Sequence, residues 1–230
     1  MSTEDAVLSR AVAREAGELV LGIRAAYGEI ERGDRARIRE LCDTADREAH
    51  LLIEARLAEA RPDDALLSEE GDGDLARIDA PRVWIVDPLD GTWEYGQGRA
   101  DFAVHVALWS AVDGGLAAGT VDLPAQGTTW SVLDDVEPRG AELPDDRPVR
   151  VVVSRSREPQ DLDRVVAGLR AALDRQVEVL HVGSVGAKAA VVLAGQAELY
   201  LHDAGFHDWD LAAPLAVARH HGLVCLSPEG

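Results

Sequence analysis

Residues 84–92 read Trp-Ile-Val-Asp-Pro-Leu-Asp-Gly-Thr. An apolar run that delivers Asp87 at its end, a proline that closes the ladder, and then Asp90 and Gly91 would aim two carboxylates and free backbone amides at one spot. Such a spot is oxygen-rich and suits a hard divalent cation beside a phosphate. Asp-Pro and Asp-Gly are also ordinary turn signals, so this segment alone leaves a plain turn equally open. Two further acidic segments stand elsewhere. Leu66-Leu67-Ser68-Glu69-Glu70-Gly71 puts two glutamates after a short apolar run, and Trp209-Asp210 opens an Ala-rich stretch. Taken singly, Glu69 and Glu70 also suit a solvated loop. Asp210 suits the first turn of a helix, where the macrodipole favours an acid.

Lys188 is the one lysine in a chain whose other basic residues are arginine. It offers a compact cation where an arginine fork does not fit. His202-Asp203, His207-Asp208 and His220-His221 suggest relays or zinc ligands, but no His-Glu-x-x-His spacing is present, which favours surface or supporting roles. His105 falls within an alternating run and is expected to pack between strands. The five tryptophans are expected in the core or in a site wall, with Trp93 placed to meet a base.

The elements that must position these groups follow from periodicity. Leu8, Val12, Leu19, Val20 and Ile23 recur at helical spacing and predict a helix over 4–27. A second helix is expected over about 45–60, capped by Asp43 or Thr44 and ended by Pro62. Strands are expected over 65–68, 83–87, 102–108, 116–123 and 128–133. A polar, Pro-interrupted stretch over 134–148 marks a lobe boundary, giving lobes of 1–140 and 141–230. Beyond it, strands (149–153, 177–182, 197–201, 223–226) alternate with helices (160–173, 185–194, 208–220). This half is therefore an α/β layer structure.

The chain has 230 residues with a formal net charge of −19. That field repels polyanions and argues against binding a nucleic acid polymer, although cations in a site can reverse the local sign for a small phosphorylated ligand. Two cysteines, Cys42 and Cys225, read as reduced thiols of a cytoplasmic protein. No run approaches the length of a membrane-spanning helix, so no membrane partner is expected.

Together, Glu69-Glu70, Asp87-Pro88-Leu89-Asp90-Gly91-Thr92 and Trp209-Asp210 resemble, in order and approximate spacing, the motifs of the Mg²⁺-dependent, lithium-sensitive phosphatase superfamily of inositol monophosphatase, fructose-1,6-bisphosphatase and the 3′(2′),5′-bisphosphate nucleotidases. The resemblance runs from about residue 5 to 225. Glu94-Tyr95, Ser154-Arg155-Ser156, Gly183-Ser184 ahead of Lys188, and Trp209-Asp210-Leu211-Ala212-Ala213-Pro214 are most similar to the nucleotidase branch in its actinobacterial form. It implies an αβαβα sandwich of α/β (α+β layered) class. The implied activity is Mg²⁺-dependent removal of the 3′-phosphate from 3′-phosphoadenosine 5′-phosphate (PAP), with phosphoadenylyl sulfate as a further substrate and a place in sulfur assimilation. An inositol, sugar or histidinol phosphomonoesterase is the alternative within the superfamily, and a non-catalytic regulatory relative the alternative outside it. The family is commonly dimeric, so a homodimer is among the expected partners.

The resemblance also assigns roles. Glu69, Asp87, the Leu89 carbonyl, Asp90 and Asp210 are implied as ligands of two or three Mg²⁺ ions, with Li⁺ as inhibitor. Glu69 and Thr92 are implied to orient and deprotonate the attacking water. Asp46 matches a further carboxylate that helps hold a cation or activate water, and equally reads as a first-turn acid of the second helix. Gly91, Thr92, Ser154, Arg155, Ser184, Lys188 and Asp210 are implied on the substrate side, Arg155 binding a second phosphate or standing solvated. Two departures stand out. Arg157 occupies a position where the nucleotidase branch usually has histidine, and the chain ends at 230, short of a last strand and helix expected to close the second lobe.

Overall fold

Two long helices open the chain. In the computed structural model, which describes residues 2–31, 33–71, 75–136, 143–203 and 205–227, α1 (Thr3–Tyr27) buries a stripe of Ala6, Val12, Ala13, Ala16 and Val20. It faces Leu41, Ala45, Ala49, Ile53 and Leu57 of α2 (Arg35–Ala60). Alanines on both stripes, Ala13 and Ala16 on one and Ala45 and Ala49 on the other, let the helices lie close, and Arg56 grips Glu15 with two bonds of 2.6 and 2.9 Å. The second helix starts well before 45. Its cap is Asp34, whose Oδ1 accepts the Arg37 amide at 3.1 Å, while Thr44 lies mid-helix with its hydroxyl 3.2 Å from that of Tyr27. Arg35, Arg37, Arg39 and Glu40 dilute the apolar period and hide this first stretch from pattern reading.

A five-stranded sheet follows: β1 (Ala65–Ser68), β2 (Arg82–Asp90), then, after the short helix α3 (Thr92–Gly96), β3 (Ala103–Ser110), β4 (Gly115–Leu123) and β5 (Thr128–Ser131). The strands lie side by side in sequence order, β1 parallel to β2 and the rest antiparallel. Alternation along β3 marks two buried faces. Val104, Val106 and Leu108 join the core with α1 and α2, and Ala103 and Ala107 join a second core on the far side.

The second half supplies β6 (Val149–Ser154), α4 (Leu162–Leu173), β7 (Val177–Val182), α5 (Val185–Leu193), β8 (Leu199–Tyr200) and α6 (Asp208–His220). The three strands form a parallel sheet in the order β7-β6-β8. α5 and α6 pack on the five-stranded sheet, α5 also meets β6 and β8, and α4 packs on β7. The layers therefore run helix pair, sheet, helix pair, sheet, helix, the expected αβαβα sandwich. The expected strand over 223–226 does not form. Val224 and Leu226 there are largely exposed, with no neighbouring strand to pair them. The expected lobe boundary at 140 lies outside the described residues, as do residues 228–230.

Candidate active site

The proline of the Asp-Pro-Leu-Asp segment bends the strand without ending it. β2 pairs Asp87 with His105 and Asp90 with Ala103, so three residues of β2 span two of β3 and the register shifts. Pro88 has no N–H to give the ladder, and a bulge absorbs the extra residue. Within the bulge Asp87 Oδ1 accepts the Leu89 amide at 3.1 Å, and the Leu89 carbonyl accepts the Thr92 hydroxyl at 3.1 Å. Gly91 then turns the chain at φ 91°, a left-handed conformation natural to glycine, into α3.

Three other elements reach the same place. β1, parallel to β2, delivers Glu69 at its end, with the Glu69 amide bonded to the Val86 carbonyl at 3.3 Å. α6 brings Asp210, whose Oδ2 accepts the His207 amide at 2.7 Å at the helix start. α5 brings Ser184 and Lys188. A cleft of about 270 Å³ results. Glu69, Asp87, Leu89, Asp90 and Asp210, the expected cation ligands, all line it, and so do Gly91, Thr92, Ser154, Ser184 and Lys188 from the expected substrate side. Asp46 and Arg155 do not line it.

The carboxyls fall into two electrostatic groups. Glu69 and Asp87 form one group. Burial raises both above the ordinary range, reinforced by mutual repulsion with Asp90 and Asp210. Asp46 behaves likewise: burial, then repulsion from Glu70 and Glu69, pushes it up to about 8. Asp90 is the opposite case. Burial alone would raise it, but His105, Lys188 and the Ser184 hydroxyl outweigh burial and hold it well below the usual carboxylate range. Its Oδ2 accepts the Ser184 hydroxyl and, at 2.7 Å, the Gly186 amide; its Oδ1 accepts the Val185 amide at 3.0 Å. Asp90 thus ties β2 to the first turn of α5. His105 Nε2 stands 3.3 Å from Asp90 Oδ2 and its Nδ1 3.3 Å from the Trp209 carbonyl, so this fully buried ring braces β2 against α6.

Among the described residues no three acidic, imidazole or thiol groups close around one point. Asp90 turns its oxygens to Ser184 and the start of α5. The donor set nonetheless fits a hard cation, being all oxygens and crowded. A buried oxygen of Asp46, Oδ1, has no hydrogen-bond partner, which marks a further acceptor short of a positive neighbour.

Lys188 is 2% exposed, and its ammonium is spent on the Gly183 and Ser184 carbonyls while facing the Tyr200 ring at 5.4 Å. Arg155 is likewise committed, 2.6 Å from Asp101 and 3.3 Å from Glu94. Sequence reasoning missed Ser156, Gly205 and Phe206 as lining residues and placed His202 in a surface or supporting role. His202 in fact stacks on Phe206 with ring centroids 3.8 Å apart. These residues sit in loops, where no periodicity or motif marks a wall.

Parallel β1 delivers one acid to the cleft, a proline bulge two, and a helix start a fourth. The model of the inositol monophosphatase family matches residues 2–230, and the chain belongs to that family, phosphoric monoester hydrolases that are generally Mg²⁺-dependent. It is 40% identical over 227 residues to 3′-phosphoadenosine 5′-phosphate phosphatase of Mycobacterium leprae, covering 95% of this chain and 79% of that protein. It is 32% identical over 203 residues to inositol-1-monophosphatase of the same organism, covering 80% of this chain and 67% of that one. Among solved structures, CysQ from Bacteroides thetaiotaomicron aligns with a TM-score of 0.72 at 28% identity, over 95% of this chain and 87% of that one. The fold is that of the family. No helix among the described residues is long and apolar enough to cross a membrane.

Proposed function

We propose that this protein hydrolyses the 3′-phosphate of PAP to AMP and phosphate, with phosphoadenylyl sulfate as a further substrate, acting in the cytoplasm. The observation that carries the reading is the 40% identity, over almost the whole chain, to a PAP phosphatase, with every expected cation ligand on one cleft. Glu69, Asp87, the Leu89 carbonyl, Asp90 and Asp210 would hold two or three Mg²⁺ ions. Bound there, Mg²⁺ supplies the positive charge that offsets the build-up on the phosphoryl and leaving oxygens of an in-line displacement.

The chain's own residues do the rest. Glu69, raised by burial, takes a proton from water at its carboxyl oxygen. Thr92 donates its hydroxyl proton to the Leu89 carbonyl, which leaves a lone pair to orient that water. Gly91 and Thr92 present backbone to the phosphate, Gly91 with no side chain in the way. Asp46, with a buried oxygen unpartnered and a raised hold on its proton, would give up that proton and turn negative when a cation stands beside it. Ser154 and Ser184 line the substrate side.

The 32% identity to an inositol-1-monophosphatase favours a second reading, a broader phosphomonoesterase. Separating nucleotide products after incubation of PAP with Mg²⁺ tests the first. The expected product is 5′-AMP with one phosphate released, and Li⁺ suppresses it; 3′-AMP as product, or no release, overturns the reading.

A further inference from the structure

Three cationic side chains come from the second half of the chain to the region of the cleft: Arg155, Arg157 and Lys188. Two are already spent. Lys188 is buried against the Gly183 and Ser184 carbonyls, between Asp90 and Glu94. Arg155 is a pin between the halves of the molecule. Its guanidinium, carried just after β6, reaches Asp101 ahead of β3 and Glu94 of α3, and also donates to the His181 carbonyl at 3.1 Å. Asp101 in turn accepts the Gly183 amide at 2.8 Å and pairs with Arg99 at 3.0 Å. A guanidinium with two carboxylates and a carbonyl has little left for a phosphate.

Arg157 is different. It is a lining residue of the cleft and is exposed. Among the described residues it has no carboxylate within ion-pair distance, and only its backbone amide is bonded, to the Ser154 hydroxyl at 3.1 Å. Its charge is nonetheless felt by Lys188 and Tyr200, which places it over the substrate side of the cleft. A planar fork with no partner at the mouth of an anion site matches a phosphate through two parallel bonds.

Resting on the proposed PAP activity, we infer that Arg157 reads the second, 5′-phosphate of the substrate, and that Arg155 acts as a positioning residue between the lobes. The reacting phosphate lies at the carboxyl end of the cleft, where cations serve it. The second phosphate has no cation of its own and meets the guanidinium that, among the described residues lining the cleft, no acid neutralises. Arg155 then acts through Asp101 and Gly183 on Ser184 and the start of α5, the elements that hold Asp90.

The test compares PAP with 3′-AMP, which keeps the base and the scissile phosphate and lacks the 5′-phosphate. In the unaltered protein, kcat/KM for PAP exceeds that for 3′-AMP. Arg157→Ala lowers that ratio at least tenfold, mainly through KM for PAP, and Arg157→Lys restores part of it. Arg155→Ala lowers kcat for both substrates by the same factor and leaves the ratio within twofold; Arg155→Lys, which keeps the charge for folding, does the same more mildly. An unchanged ratio in Arg157→Ala, or a ratio lost in Arg155→Ala, overturns the inference while leaving the PAP reading in place. Equal use of PAP and 3′-AMP by the unaltered protein overturns it as well, since no second phosphate is then recognised. Failure of the unaltered protein to act on either nucleotide overturns the reading beneath it.

Discussion

Asp87 and Asp90, three residues apart, respond oppositely to loss of charge. Asp87 sits among like charges with a raised affinity for its proton, so Asp87→Asn relieves repulsion in the cation-free protein and raises its melting temperature. Asp90 accepts the Ser184 hydroxyl and two backbone amides of α5, and Asp90→Asn turns an amide donor towards them. Leaving such buried donors unmatched costs about 1–3 kcal/mol each, so this variant melts lower. Both variants lose turnover. Thermal denaturation of the pair in chelator checks the contrast, and equal shifts would mean Asp90 does not tie β2 to α5. Asp46 adds a pH signature. Its folded pKa, about 8, lies above the ordinary 3.8, so the folded state keeps a proton that the unfolded state releases. Stability is therefore full at acid pH and declines as pH rises from about 4 through about 8. Glu69 and Asp87 act in the same direction. Asp46→Asn should flatten this decline in urea titrations at pH 6 and pH 9, and bound Mg²⁺ should oppose it in the unaltered protein.

At the scale of elements, the site depends on how closely α5 and α6 approach the five-stranded sheet. A methyl group on Gly119 of β4 would stand 2.5 Å from the Cβ of Ala216 and 3.3 Å from the Ala213 carbonyl, so α6 lies directly on this glycine. Gly119→Ala lifts α6, carrying Asp210 with it. The expected cost is about 1–3 kcal/mol, read as a lower urea midpoint, together with a higher Mg²⁺ concentration for half-maximal activity. An unchanged Mg²⁺ requirement would separate the packing of α6 from the site. Most elements were legible because their apolar periods are clean: β1, β7 and α6 match the expected spans closely. The start of α2 was not, because arginines fill its first turns. Nor was α3, a single turn too short to show a period. The bulge at Pro88 was read as a strand end because the missing N–H was visible and the compensating register shift, a property of the partner strand, was not.

The whole molecule carries a net charge of −19 and brings several carboxyls to one cleft, an arrangement that favours positive partners there. The motifs made the carboxyls of the cleft readable, since each lies at a strand end or helix start that the pattern also predicts. The arginines were harder. Arg155 and Arg157 are two residues apart in one loop, and only the fold shows that Asp101, distant in sequence, claims the first and leaves the second to the cleft. The central claim concerns substrate. It is tested most directly by phosphate release from PAP, inositol 1-phosphate, fructose 1,6-bisphosphate and histidinol phosphate, side by side, with Mg²⁺ and then in chelator. The account predicts Mg²⁺-dependent release with PAP preferred about a hundredfold in kcat/KM, about 2.7 kcal/mol of differential transition-state binding. Equal rates across the four, or a preference for inositol 1-phosphate, would contradict it.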